Sequence, residues 1–460
     1  MDRAVILAAG WGRKMWPYSS TNSKVALPVA NEPIIARQVR ILQELGVQEI
    51  LVIMHHRATQ VRWAVRAFNG LNLLGDGTCG EGTASALGFA LKQGLEGRLL
   101  VLYGDTVWLK EDLAALLEAG RRLKSGQMLA GVLPLEMDRP QEWICAEVSG
   151  GAVKRILAHP RDEVTHRLAG AFVMDGRIER HLWEQAGQLR EVRVGAMPPD
   201  ELTLEGALAE FLRAGGELLA HEISGPWFDV DKPWHWLEAN EAILRHDLSA
   251  LEASVIHPTA RVSDSAEIDG PIVVEEGAVV GSHVRIAGPA RIGKGARVTE
   301  GAILEGFSAV GDGAWIRQYC LVGKGSSIGP ECVLGHAAEF SGIMLDGAYM
   351  YHYGEYWGIL GAKSDLGAAT VCGNLRFDDD DTVHNVLGHR EKPRFGANAA
   401  YLGDFVRTGV NVILMPGVKV GPYCVIGPGT IVREDIPDGT LLYTEQTLVR
   451  KRWGPERYGW

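Results

Sequence analysis

The 460-residue chain is long enough for two or more domains, and its 46% hydrophobic content supplies ample material for buried cores. A formal charge of -11 argues against broad binding to nucleic acid or anionic membranes, while leaving room for a local basic pocket that takes phosphates. The expected partners are therefore small molecules and further copies of the chain. Its six cysteines (Cys79, Cys145, Cys320, Cys332, Cys372 and Cys424) show no C-x-x-C spacing, which speaks against a zinc site or disulfide framework and suits a reducing cytoplasm. The apolar start, Met1 to Leu7, is too short for a signal peptide, and no apolar run reaches about 18 residues, so no membrane association is expected.

Across residues 1–246 short apolar runs (Ala4 to Ala8, Ile50 to Met54, Leu99 to Tyr103) alternate with helical stretches (Pro33 to Leu45, Ala84 to Gln93, Leu113 to Leu123). This pattern predicts a Rossmann-like α/β domain, a parallel sheet flanked by helices, with ligands at the carboxyl ends of the strands. The chemically suggestive residues fall at those ends. The first strand leads into Leu7-Ala8-Ala9-Gly10-Trp11-Gly12-Arg13-Lys14-Met15-Trp16-Pro17, followed by Lys24. Glycines there let backbone amides approach phosphate oxygens, and nearby cations neutralise them; a tight structural turn explains such a loop equally well. Tyr103-Gly104-Asp105 places an acid at a strand end, and Trp227-Phe228-Asp229-Val230-Asp231 supplies another about 120 residues later. Asp105 and Asp229, brought together beside phosphates, would hold Mg²⁺, a hard cation that takes oxygen ligands; for either acid alone a turn or cap is as good a reading.

A last helix is predicted from Pro233 to about His246, with residues 247–254 as a hinge. From Ile256 to Leu334 apolar residues then stand six apart without a slip, commonly followed by a small residue, as in Val280-Gly281 and Ile292-Gly293. Six is the length of one face of a triangular parallel β-helix, in which each apolar side chain stacks on its equivalent one coil away. The rod is expected over 255–436, with an irregular insertion near 339–359 where aromatic residues gather around His352, and a tail over 437–460. His352 is either a general base or a histidine that merely packs in a loop. Asp378-Asp379-Asp380-Asp381 lacks calcium-loop spacing and is read as a solvated loop.

In this order and spacing the N-terminal pieces resemble the sugar-1-phosphate nucleotidylyltransferases. The loop resembles L-A-A-G-x-G-x-R-[LM]-x-P, with Lys14 in the place of the arginine, while Lys24 matches the substrate-binding lysine, Gly82-Thr83-Ala84 the nucleobase-side G-T-A, and Asp105 and Asp229 the metal pair. The resemblance implies Mg²⁺-dependent attack of a sugar-1-phosphate on the α-phosphorus of an NTP. Arg13, Lys14 and Lys24 would be catalytic, and Ala8, Ala9, Gly10, Gly12, Gly82, Thr83 and Gly104 would bind nucleotide. Departures concentrate on the sugar side: Ile144 replaces a glycine, Ala158-His159-Pro160 replaces E-K-P, Leu168-Ala169-Gly170 replaces N-A-G, and Gly75-Asp76-Gly77-Thr78 offers no base-reading glutamine.

The rod, with Gly367 to Asp378, Arg407-Thr408-Gly409-Val410-Asn411 and Met415 to Gly421, is similar to the acetyltransferase half of the bifunctional N-acetylglucosamine-1-phosphate uridylyltransferases, especially their archaeal relatives. That resemblance implies a left-handed β-helix that forms a homotrimer or higher oligomer, with acetyl-CoA as co-substrate and His352 as the base acting on an amino-sugar-1-phosphate. Asn374 would place the sugar, and Lys392, Arg394 or Arg407 would meet phosphates. Three readings compete: a nucleotidylyltransferase with a second acetyl-transfer site, an acyltransferase with a degenerate N-terminal domain, and a non-catalytic regulatory or structural assembly.

Overall fold

The computed structural model describes residues 2–75, 82–95, 97–135, 139–160, 163–183, 185 and 202–457. Of the stretch Gly75 to Thr78, all but Gly75 lies outside the described residues, as does Cys79. The first strand, Arg3–Ala8, is buried along nearly its whole length and pairs in parallel with Glu49–Met54 and Arg98–Tyr103. Runs such as Val5-Ile6-Leu7 carry no polar alternation because helices cover both faces of this part of the sheet. The nine-stranded order is Leu71–Leu74, Glu49–Met54, Arg3–Ala8, Arg98–Tyr103, His166–Asp175, Gln127–Pro134, Glu217–Glu222, Ala152–Ala158, Ile144–Ser149. The sheet is mixed rather than wholly parallel, since His166–Asp175 runs antiparallel to both of its neighbours in that order. Beyond it the hairpin Ile144–Ser149/Ala152–Ala158 turns at Gly150-Gly151.

Helix Ile34–Glu44 buries Ile34, Ile35, Val39, Ile41 and Leu42 against the domain core, an i, i+3/i+4 stripe. Helix Pro233–Ser249 runs past His246 into the expected hinge, and Arg37 of the first helix grips Asp247 of the last with two hydrogen bonds of 2.8 and 3.0 Å.

From Val255 onward short parallel strands stack into three ladders. Val262 pairs with Val280 and Val280 with Val298, so each coil takes 18 residues and each hexad position lands on its equivalent. From Val274 to Leu334 the hexad side chains are fully buried in one continuous core; the first coil, with Ile256, remains open to solvent.

Residues 339–359 are not an insertion. Glu339–Met344 and Glu355–Leu360 pair in register along their full length, and the coil merely shortens to 16 residues. The shortening comes from Gly342 and Gly358, both at positive φ and stacked at one corner. A Cβ on Gly342 would lie 2.1 Å from the Gly358 carbonyl oxygen, and one on Gly358 would lie 1.9 Å from that of Ala400. The excursion from the rod comes later, between Val371–Cys372 and Ala400–Leu402, where Leu360 pairs with Leu402. It contains the hairpin His384–Val386/His389–Glu391. The rod also runs past 436, closing on Leu441–Leu442, which pairs with Val425–Ile426.

One ladder of the rod is covered by the N-terminal domain. Met15, Tyr18, Trp234, Trp236 and Leu237 share an apolar core with Ile343, Ile359, Val386 and Tyr401. Polar bonds fix its register: Tyr18 donates to the Ile359 carbonyl (2.8 Å), while Asn240 donates to the Gly325 carbonyl and accepts from Ala30 N and Ser327 Oγ. Buried Asp404 accepts from Thr21 Oγ1 and Asn22 Nδ2 on one side and Ala362 N on the other. His384 is sandwiched in this interface, its ring 4.9 Å from Trp234 and its Nε2–H donating to the Ala397 carbonyl at 2.8 Å.

Burial, reinforced by Lys419, pushes the His384 pKa down to about 4. The unfolded chain, with histidine near 6.5, takes up this proton first, so His384 costs stability as pH falls from about 6.5 towards 4 and no more below that. Thermal melts across this window should show a loss on the order of 2–3 kcal/mol that is flattened in His384→Gln.

Candidate active site

Asp105 and Asp229 arrive at one place because their flanks pair: Thr106–Val107 forms a two-residue antiparallel ladder with Phe228–Asp229, and Val230 N donates to the Asp105 carbonyl at 3.0 Å. Gln38 braces the turn from the helix behind, donating to the Tyr103 and Thr106 carbonyls at 2.8 and 2.6 Å. Lys24 comes from a single 3₁₀ turn, Lys24–Ala26, at the end of the loop that leaves the first strand. That loop must pass close to the lysine. Gly12 sits at φ +63, and a Cβ there would come within 3.0 Å of Lys24 Cβ.

The Lys24 ammonium, almost wholly buried, lies 2.7 Å from Asp105 Oδ2, 3.1 Å from Asp231 Oδ1 and 3.8 Å from Asp229 Oδ1. Asp231 also receives Lys14 Nζ at 2.8 Å. Burial works against the Lys24 charge, but the three carboxylates outweigh it and raise its pKa. Burial likewise opposes ionisation of Asp231, which Lys24 and Lys14 nevertheless hold well below the usual carboxylate range. Asp229 goes the other way. Its burial and the nearby Asp105 and Asp231 charges outweigh Lys24 and lift it to about 7. Three carboxylates thus face two ammonium groups, and the uncompensated acid, Asp229, keeps its proton up to near neutrality.

Leu7, Gly10, Gly12, Arg13, Lys14, Lys24, Val25, Asp105, Asp231 and Leu387 enclose a cleft of about 270 Å³ over this cluster. A Cβ on Gly10 would meet nothing within 4 Å, so the loop faces open space there. Ala8 ends the first strand and is buried. Gly104 commits its amide to the Leu7 carbonyl at 2.9 Å, so that N–H is already spoken for. Gly82 and Thr83 open the helix Thr83–Leu91, where Thr83 Oγ1 accepts from Leu204 N.

Asp231 joins the cluster although no motif of the sequence marks it. The signal was present: in extended backbone, residues two apart share a face, and Asp229 and Asp231 are two apart. Beside them lies an aromatic and cationic group. The Arg167 guanidinium stands 4.4 Å from the Trp143 ring and 5.1 Å from Trp227, while His235 stacks on Trp143 at 5.7 Å and donates Nδ1–H to the Asp229 carbonyl. Burial, with Lys232 nearby, pushes His235 down to about 3, so its ring is neutral. Ile144 packs on the domain core and pairs with buried Ala158; Leu168 is buried too.

The rod residues are not gathered in this way. His352 sits half-exposed at a corner, 6.3 Å from the His336 ring with Tyr351 and Tyr353 alongside. Among the described residues no hydrogen bond, ion pair or ring contact joins it to Asn374 or Arg407. Arg407 lies exposed two rungs along the ladder that carries Tyr349, which pairs with Asp365 as Asp365 pairs with Arg407, and Lys392 is paired with Asp380 in the exposed acidic loop.

Residues 4–168 match the MobA-like NTP transferase domain, and residues 399–434 match bacterial transferase hexapeptide repeats. A bifunctional sugar-1-phosphate nucleotidylyltransferase/acetyltransferase of Sulfurisphaera tokodaii is 24% identical, aligned over 96% of this chain and 99% of its own. A bifunctional protein GlmU of Methanococcus maripaludis strain C7 is 29% identical over 97% of this chain and 98% of its own. The chain is a homologue of these archaeal bifunctional enzymes. The likeness takes in both halves and the join between them. No helix among the described residues is long and apolar enough to cross a membrane.

The charge pattern predicts the effect of removing Lys24. A Lys24→Gln chain leaves the three carboxylates facing one another with only Lys14 beside them, which raises their folded-state pKa values. The loss should begin above about pH 4, where the unfolded chain's carboxyls ionise, and grow to about 3 kcal/mol at pH 8, so denaturant titration should find it smaller at pH 5 than at pH 8.

Proposed function

We propose that the N-terminal cleft transfers a nucleotidyl group from an NTP to a sugar-1-phosphate, releasing pyrophosphate. The observation that carries this reading is the convergence of Lys24, Asp105 and Asp229, from three distant parts of the chain, beneath the glycine-containing loop. A phosphate oxygen of the sugar-1-phosphate attacks the α-phosphorus; the new P–O bond forms as the bond to the β-phosphate bridging oxygen breaks. Such a reaction needs alignment and charge neutralisation more than proton transfer. Arg13 and Lys14, on the cleft wall, hold the departing pyrophosphate, and Lys24, at its floor, holds the α-phosphate against the sugar phosphate. The sugar end is flanked by Trp143, Arg167 and His235, in place of the polar grip that Ile144, Ala158 and Leu168 do not provide.

The acids fit a divalent cation. Among the described residues no three His, Cys, Asp or Glu side chains form a ready-made shell, but Mg²⁺ bound to a nucleotide takes one or two carboxylates and fills its remaining positions with phosphate and water. Asp105 and Asp229 would hold it, the arriving cation displacing the proton that Asp229 keeps near neutrality. Once bound, the ion neutralises and orients the phosphate oxygens.

Pyrophosphate release is to be measured over the four common NTPs and a panel of sugar-1-phosphates. Asp105→Ala and Lys24→Ala should each lower kcat/KM by about 10²–10³-fold, and EDTA should abolish turnover until Mg²⁺ is restored. A folded wild-type chain that releases no pyrophosphate with any pair refutes the reading.

A second activity, acetyl transfer from acetyl-CoA to an amino-sugar-1-phosphate, is favoured by the alignment of the whole rod with relatives named as acetyltransferases. His352 is its proposed base, in a homotrimer that brings the His352 corner of one rod against its neighbour. Thiol release from acetyl-CoA with glucosamine-1-phosphate should be lost in His352→Ala, whose pyrophosphate release should be unchanged.

A further inference from the structure

One wall of the cleft over Lys24 does not belong to the N-terminal domain. It is Leu387, at the tip of the hairpin His384–Val386/His389–Glu391 that leaves the rod. Leu387 and Gly388 are the two central residues of the turn, at φ +50 and +86. Such positions are filled at little cost by asparagine or glycine, whereas a leucine there is strained. Leu387 is also 62% exposed, so core burial does not explain it either.

The hairpin stem, by contrast, is firmly held. Val386 is buried in the core between the domains, and Glu391 pairs with buried Lys232 at 2.7 Å. Lys419 Nζ donates to the Asn385 carbonyl at 3.2 Å, and Gly388 N donates to Asn385 Oδ1 at 2.9 Å. A fixed stem thus presents a strained, apolar tip towards Arg13 and Lys14. A second cavity, about 360 Å³, adjoins the first and shares Arg13, Lys14 and Leu387 with it, adding Trp16, Trp234 and Lys419. Leu387 stands at the boundary between the two spaces.

We propose that Leu387 is a positioning residue for the nucleoside triphosphate, a rod-borne wall that closes the polyphosphate end of the cleft. The inference rests on the nucleotidyl-transfer reading. An apolar wall beside Arg13 and Lys14 keeps water from the phosphates, and charge attraction strengthens as water is excluded. The strained turn is retained because a side chain, not merely a bend, is needed at the tip. The N-terminal domain then has a complete triphosphate pocket only while the rod is docked against it.

Leu387→Asn and Leu387→Gly remove the wall while relaxing the backbone, so a purely structural role for Leu387 predicts an unchanged or raised thermal midpoint and unaltered nucleotide handling. The proposal predicts the same midpoint behaviour, together with an NTP Kd by calorimetry and a KM for NTP raised about three- to tenfold. It further predicts kcat within about twofold, an unchanged KM for the sugar-1-phosphate, and near wild-type values in Leu387→Met. Wild-type NTP affinity in both relaxed variants overturns it. If the wild type binds NTP in a Leu387-dependent way yet releases no pyrophosphate, the wall stands and the reaction assignment falls; if it binds none of the four NTPs, both fall.

Discussion

A single buried ammonium holds the candidate site together. Lys24 would be costly to place in so enclosed a position without partners, and three carboxylates clustered within reach of one another would be costly without a cation. Each makes the other tolerable, and because Asp105, Asp229 and Asp231 come from different segments than Lys24, the mutual need ties together the loop after the first strand, the end of the Arg98–Tyr103 strand and the approach to the last helix. The balance is incomplete, which leaves Asp229 close to neutral pH and the cluster receptive to further positive charge.

The segment that carries Arg13, Lys14 and Lys24 is also the segment that docks on the rod. Tyr18, Thr21, Asn22, Ala30 and Asn31 all make hydrogen bonds that reach rod residues or the Asn240 bridge to them. The β-helix is therefore part of the scaffold that fixes the loop over the Lys24 cluster, much as the helix Ile34–Glu44 fixes the Asp105 turn through Gln38. The geometry of this loop and the integrity of the rod are coupled through packing.

What could be read from the chain was what repeats or what clusters locally. The hexad positions from Val274 to Leu334 are legible because coils stack identical side chains on one another, so burial imposes a period on the sequence. The strand ends carrying Gly10, Asp105 and Asp229 are legible because short apolar runs stop abruptly at polar residues. The two-residue trimming of the coil at Gly342 and Gly358 is less visible, since a missing pair of residues at a corner resembles an interruption. Least legible were the contacts between domains. Nothing about Tyr18, Asp404 or Leu387 in isolation shows that the first two sit in the interface and the third lines the cleft, because their roles depend on which faces meet. On the rod the resemblance points to His352, Asn374 and Arg407, yet among the described residues no contact joins them, because such a site depends on which faces meet and not on spacing along the chain.

The stacking of the coils also makes the rod a ruler. Successive rungs are separated by the spacing of neighbouring strands, about 4.8 Å, and the N-terminal domain is riveted to particular rungs through Ile328, Ile359 and Asp404. The hairpin leaves the rod among these rungs, between those of Ile359 and Asp404. Inserting or deleting one whole coil between these anchor points and the hairpin would preserve every apolar stack in the core, yet displace the tip by more than the length of a hydrogen bond. Growth by duplication, the usual freedom of a repeat architecture, is thus confined to the open N-terminal coils around Ile256 and to the far end, while the middle of the rod is held to a fixed length by what it must reach.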